Sequence, residues 1–197
     1  MTQMRNVGIL LFNEVEVLDF SGPFEVFSVT GKGKGAIPFY VFTVSEKPGS
    51  VFAHNGLSIN PAYNITDCPP VQILVVPGGQ GTRKEMENQP LLEWIRNCSK
   101  KAELTLSVCT GSLLLAKAGL LDGLSATTHH GSLDLLRKSA PKTKILPKER
   151  FVDNGSIIVA GGISAGIDGS LHIVSRLLGN ETASDTAKYM EYSWLGP

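Results

Sequence analysis

Nothing in this 197-residue chain approaches the ~18–20 consecutive apolar residues that a membrane-spanning helix needs. The apolar run within the opening MTQMRNVGILLF is too short for a signal peptide. Cysteine is scarce. Cys68, Cys98 and Cys109 are an odd number with no C-x-x-C spacing, which argues against a disulfide framework or zinc site and for a reducing cytoplasm. Neither sign of charge dominates, because 18 Lys and Arg face 18 Asp and Glu. Without a basic block, nucleic-acid binding gains little support. There is no internal repeat, low-complexity tract or dividing linker. No metal-ligating constellation appears and no dinucleotide fingerprint follows Phe12, so no metal and no cofactor is expected.

What is present suits one globular domain over residues 1–197, with 42% hydrophobic residues to supply a core. Val7–Phe12 is a near-continuous apolar run, as in a parallel strand buried on both faces. A helix follows, for which Asp19 or Ser21 can cap and Pro23 suits the first turn. The Gly31–Gly35 segment, G-K-G-K-G, ends that helix. It is no phosphate loop, since it follows a helix and lacks the required pattern. Phe39–Val44 and Val71–Val76 read as strands. Asn55-Gly56 signals a hairpin between Val51–His54 and Leu57–Asn60. Pro77-Gly78-Gly79-Gln80-Gly81 is either a plain turn or a place where a ligand nears the backbone.

Leu91–Cys98 reads as a helix capped by Asn88. Later come a short strand at Ser125–Thr128, a helix at Ser132–Lys138, and a second hairpin around Asp153-Asn154-Gly155, joining Lys144–Phe151 to Ile157–Ala160. Helices over Ile167–Leu178 and Glu181–Tyr192 close the chain. Strands alternating with helices argue an α/β domain with a mostly parallel sheet. The loops after Phe12, Val76, Val108, Thr128 and Ala160 are then expected to gather at one sheet edge.

The most informative stretch is Leu104–Gly119. A β-prone run, Leu104–Val108, meets a helix-prone run, Ser112–Ala118, with only Cys109, Thr110 and Gly111 between. The chain must turn sharply there, as at a nucleophile elbow. A thiol at a helix start is expected to titrate at about 3.5–7.5, below the ordinary ~8.5. The competing reading makes Cys109 a small buried hydrophobe.

Taken together, Leu18-Asp19-Phe20-Ser21-Gly22-Pro23, Pro77-Gly78-Gly79, Val108-Cys109-Thr110-Gly111-Ser112, Thr127-Thr128-His129 and Gly161–Asp168 make the chain resemble the PfpI/ThiJ-like family of the class I glutamine amidotransferase-like superfamily. The motifs are closest to isonitrile hydratases and to the amidase-like domains of some transcription regulators. The resemblance implies a flavodoxin-like sandwich with helices on both faces of the sheet, and a homodimer. It implies that Cys109 is the nucleophile, that Asp19 is the acid approaching it, and that Thr110 stands beside it. Gly79, with Gly78, would line an anion pocket through its backbone N–H, and His129 would lie near that pocket. Protease-type members carry His after the nucleophile, so Thr110 counts against a peptidase.

A carboxylate beside a thiolate raises both titrations, so Asp19 helps only if the pair keeps a proton and titrates as a unit. From spacing alone Asp19 is the better helix cap, His129 the better structural residue, and Asp168, early in a helix where an acid offsets the dipole, is expected to cap it. Two functions remain. One is a cysteine enzyme acting on a small electrophilic carbon: an isonitrile, or else an amide, aldehyde or thioester. The other is a redox or ligand sensor without turnover. The DNA-binding helices of the regulators are not expected in a chain ending at Pro197. The partner expected is a small molecule, with neither nucleic acid nor membrane.

Overall fold

The computed structural model describes residues 4–35 and 37–196. The opening apolar run forms β1 (Arg5–Leu11), buried along most of its length. Helix α1 (Val17–Val29) follows, then β2 (Phe39–Ser45). A hairpin of β3 (Val51–Phe52) and β4 (Ser58–Ile59) turns at Asn55-Gly56, where both residues have positive φ (66° and 85°). This is the backbone that Asn-Gly favours. Next come β5 (Tyr63–Asn64), β6 (Ile73–Val76), a short α2 (Thr82–Glu85) and α3 (Gln89–Lys101). The elbow joins β7 (Leu104–Ser107) to α4 (Gly111–Lys117). The remainder is β8 (Ser125–Ala126), α5 (Leu133–Ser139), β9 (Lys144–Ile145), β10 (Phe151–Asp153), β11 (Ile157–Ala160), α6 (Ala165–Leu178) and α7 (Asn180–Tyr189).

The main sheet runs β10-β11-β7-β6-β1-β2-β5, parallel throughout except for β10. Helices α1, α6 and α7 pack on one another over one face, while α4 lies on β6 and β7 between α3 and α5. Strands β6, β7 and β11 are wholly buried, which explains the unbroken apolar character of β6 and β11, while β7 alternates Leu104 and Leu106 with the buried hydroxyls of Thr105 and Ser107. The connection from β1 leads outward to β2, and the connections from β6 lead the other way to β7. Between β1 and β6 the winding reverses, and the carboxyl ends of these strands open a crevice of the kind where doubly wound sheets hold ligands.

Several sequence expectations shift. Asp19 is not a cap: α1 begins two residues earlier, after Glu16, and Asp19 lies in its first turn while Pro23 lies inside the helix. The expected Ser125–Thr128 strand shrinks to two residues and leaves the main sheet to pair with β9. Lys144–Phe151 is therefore not one hairpin arm, since its two ends serve different sheets. Strand β5 and helix α2, both very short, gave no periodic signal.

The β3–β4 hairpin closes over the loop that follows β1. Phe52 N–H donates to Asn13 Oδ1 at 2.9 Å, Glu14 N–H to Phe52 O at 2.7 Å and His54 N–H to Val15 O at 2.8 Å. Val15 in turn bridges to Gly79, so this loop and the one after β6 are fastened together.

Candidate active site

Cys109 occupies the bend with φ 55°, a left-handed conformation uncommon for any residue but glycine. Neighbours hold it there. Its N–H donates to Gly161 O at 2.8 Å, and its carbonyl accepts Thr128 Oγ1 at 2.9 Å and Ser112 Oγ at 3.1 Å. The sulfur faces the backbone N–H groups of Thr110 and Ile163. Ile163 itself has φ 34°, so a second strained backbone position aims a donor at the same atom.

Asp19 is fully buried. Its Oδ2 accepts the Gly78 N–H at 2.9 Å. Oδ1 is buried without a hydrogen-bond partner, and the Cys109 thiol lies against the same carboxyl. Gly78 allows this approach because it lacks a Cβ: one placed there would sit 2.5 Å from Thr110 N and 2.8 Å from Asp19 Oδ2. Gly79 carries φ 129°, which an L side chain rarely adopts.

The structure thus brings together Cys109, Asp19, Thr110 and Gly78. Gly79 adjoins them but not in the expected way. Its N–H is already given to Thr110 Oγ1 at 2.9 Å, so it is not an open donor for an anion.

The electrostatics overturn the expectation of an acidic thiol. Burial, then the Asp19 charge, push Cys109 up to about 12, against the opposing N–H groups of Ile163 and Thr110. Burial pushes Asp19 up to about 7, with the Glu16 charge adding and the Gly78 N–H and Cys109 opposing. Helix α4 has seven residues, too short a dipole to outweigh removal of water from two acids in contact. Both shifts point the same way: around neutral pH the pair retains a proton and behaves as one titrating unit.

His129 opens the short turn at His130–Ser132, and its Nδ1 accepts the Gly131 N–H at 3.2 Å. Burial and the charges of His130 and Arg83 hold it below the usual histidine range. It has the structural duty that its sequence position suggested, while its ring lines a cavity of about 580 Å³ with Thr128, Gly162, Ile163 and Arg150. These walls include the residues that contact Cys109. A second cavity, about 650 Å³, lies against the ends of β1 and β2, away from the sulfur. The former is the better approach for a reactant, because its walls carry the neighbours of the thiol.

Asp168 is not a cap: α6 follows Ser164, and Asp168 lies in its first turn. It pairs with Arg150 and accepts Tyr192 OH at 3.1 Å. Cys68 and Cys98 lie away from the site, and burial pushes Cys98 up to about 12. Arg83 was not singled out from sequence, Glu16 read as a solvated loop charge, and Ile163 entered only within the Gly161–Asp168 motif. The Gly161-Gly162 pair after the last parallel strand was the available signal for Ile163. Among the described residues no group of three or more His, Cys, Asp or Glu side chains is placed to hold a metal, and no helix is long and apolar enough to cross a membrane.

Comparison with known proteins shows the family and the fold. The profile of the DJ-1/PfpI family matches residues 5–176. The chain is 38% identical over 189 residues to an isonitrile hydratase of Pseudomonas putida, covering 95% of this chain and 78% of that enzyme. It is 24% identical to the HTH-type transcriptional regulator GbdR of Pseudomonas aeruginosa over 95% of this chain, and spans about half (51%) of the regulator. The crystal structure of a ThiJ/PfpI family protein from Pseudomonas syringae superposes with a TM-score of 0.87 at 27% identity, over 98% of this chain and 76% of that one.

Proposed function

Since this chain belongs to the DJ-1/PfpI family, we propose that it is a cysteine-nucleophile enzyme of the isonitrile hydratase type, adding water to R–N≡C to give an N-substituted formamide. The observation that carries this reading is the fully buried Asp19 carboxyl against the Cys109 sulfur, with one oxygen fixed by Gly78 and the other unpartnered. A proton held by that pair serves an addition that needs a nucleophile and an acid together.

At rest the higher pKa of Cys109 keeps the pair's proton on sulfur; in the reacting form it has passed to Asp19 and the sulfur is a thiolate. The sulfur bonds to the terminal carbon of the isonitrile while Asp19 gives its proton to that carbon, forming a thioformimidate. Asp19, now a carboxylate, takes a proton from water as the water oxygen bonds to the carbon, then passes that proton to nitrogen. Collapse of the adduct breaks the C–S bond. The hydroxyl proton returns to Asp19, the sulfur leaves as thiolate, and the formamide departs. Thr110, whose hydroxyl meets Gly79 in the loop after β6, orients the reactant or water.

The likeness to regulators supports a second reading, a sensor without turnover. Mild peroxide separates the two: selective oxidation of Cys109 with no turnover of any electrophile would favour the sensor. Incubating the protein with alkyl and aryl isonitriles and following formamide by chromatography tests the proposal. Wild type should turn over, and Cys109→Ala should give no product. Retained hydration in Cys109→Ala would refute the mechanism, and an adduct of isonitrile mass on Cys109 in quenched wild type would support it.

A further inference from the structure

We infer that Arg150 is a carboxylate-binding residue on the wall of the cavity beside Cys109, so that the preferred reactants are short isonitriles carrying a carboxylate. The inference rests on the isonitrile chemistry proposed above and names the class of reactant for it. The cavity encloses about 580 Å³, and only three of its lining side chains are apolar, those of Pro147, Ile163 and Ala165. A plain alkyl chain gains little from such a wall, since sites for apolar ligands are lined mostly by hydrophobic and aromatic groups. Lys148 and Glu149, also on the wall, offset each other in charge and leave Arg150 to set the sign. Ser164 and Ala165 add the positive end of the 14-residue helix α6 to the same wall.

Arg150 is tied to the reacting residue through the backbone. Gly161 N–H donates to Arg150 O at 2.9 Å, and Gly161 O accepts the Cys109 N–H at 2.8 Å. The side chain is half exposed and held at two points. Nε donates to Asp168 Oδ2 at 2.5 Å, and Nη2 to Ser164 Oγ at 3.0 Å. Ser164 directly follows Ile163, whose N–H faces the sulfur. Fork and sulfur therefore border one cavity, with a single short loop between them.

Asp168 is the counter-ion, yet it does not exhaust the fork. Its two oxygens also accept Tyr192 OH, at 3.1 and 3.2 Å. A guanidinium has five N–H donors. Asp168 and Ser164 take one each, and Nη1 makes no hydrogen bond among the described residues. An arginine fixed by two acceptors, with its other donors unused, suits the two oxygens of a carboxylate. That carboxylate makes and breaks no bond. It is held alike before and during reaction, so it lowers KM and leaves kcat almost unchanged.

The test measures kcat and KM for isocyanoacetate and isocyanopropionate, each against its neutral primary amide, in wild type, Arg150→Met and Arg150→Lys. Wild type should favour at least one acid over its amide by about 30-fold in kcat/KM, as charge-assisted hydrogen bonds allow. Arg150→Met should raise KM for that acid about 30-fold and change the amide less than about threefold. Arg150→Lys keeps the charge but not the fork and should fall between them. A second readout needs no turnover. N-formylglycine, the product from isocyanoacetate, should slow alkylation of Cys109 by iodoacetamide in wild type, and N-formylglycinamide should not; in Arg150→Met neither should.

Equal hydration of acid and amide by wild type would overturn the inference and leave the proposed function standing. Equal losses for acid and amide in both Arg150 variants would overturn it too, making Arg150 a strut for its loop. If wild type hydrates no isonitrile, the proposed function fails and the protection readout still decides the carboxylate seat: protection by N-formylglycine that survives in Arg150→Met, or is absent from wild type, would overturn it.

Discussion

Replacing Asp19 with Asn should make the protein more stable, and by more as the pH rises. The carboxyl is fully buried, and burial lifts it from 3.8 to about 7. Between those values the folded protein keeps a proton that the unfolded chain has released. Where the folded state binds more protons, stability falls with rising pH. The loss therefore begins near the unfolded value, grows through the acid range, and levels off above the folded value.

At ~1.4 kcal/mol per pH unit, a shift from 3.8 to about 7 amounts to ~4 kcal/mol by about pH 8. Of this, ~2 kcal/mol accumulates between about pH 5.5 and about pH 8. Asn keeps the oxygen that accepts the Gly78 N–H and cannot ionise. Urea denaturation of both proteins across this range is the assay. With an m-value of about 2 kcal/mol/M, their midpoints should diverge by about 1 M. Parallel midpoint curves, or an Asn variant that is the weaker protein at the alkaline end, would refute the argument that an ionisable acid is held there against its hydration. The same variant should lose turnover.

Three further outcomes follow from the same geometry. Gly78→Ala places a methyl 2.5 Å from Thr110 N and should destabilise by ~1–3 kcal/mol, visible as a lower melting temperature. Thr110→Ala leaves the buried Gly79 N–H without its acceptor, at ~1–3 kcal/mol, and Thr110→Ser should restore most of that loss in urea denaturation. His129→Gln keeps an acceptor for the Gly131 N–H, so kcat should stay within about threefold of wild type. A loss of about 100-fold would instead make His129 a proton-transfer group.

The parts of the molecule legible in its sequence were those set by local chemistry. The apolar runs of β1, β6 and β11 read as buried strands because both faces are covered. Asn55-Gly56 and Asp153-Asn154-Gly155 read as turns because few other residues accept their backbone angles. The elbow was legible from the shortness of the link between β7 and α4. What depended on distant partners was not. The sequence places Asp19 near a helix start but cannot say that α1 begins at Val17, which turns a cap into a buried acid. Nor can it weigh desolvation against a short helix dipole at Cys109. The Gly79 N–H looked open because its acceptor, Thr110 Oγ1, lies 31 positions away.

The hairpin over the loop after β1 has an evolutionary corollary. It grips the segment that delivers the acid, yet its outward residues Phe52 and Leu57 are exposed and take no part in the chemistry. Mutational drift at that tip can loosen the anchoring of Asn13–Val15 while sulfur, glycine loop and carboxyl all stay unaltered. Relatives with identical reactive groups can therefore diverge in speed or choice of reactant through a ribbon that a comparison of active-site residues would pass over.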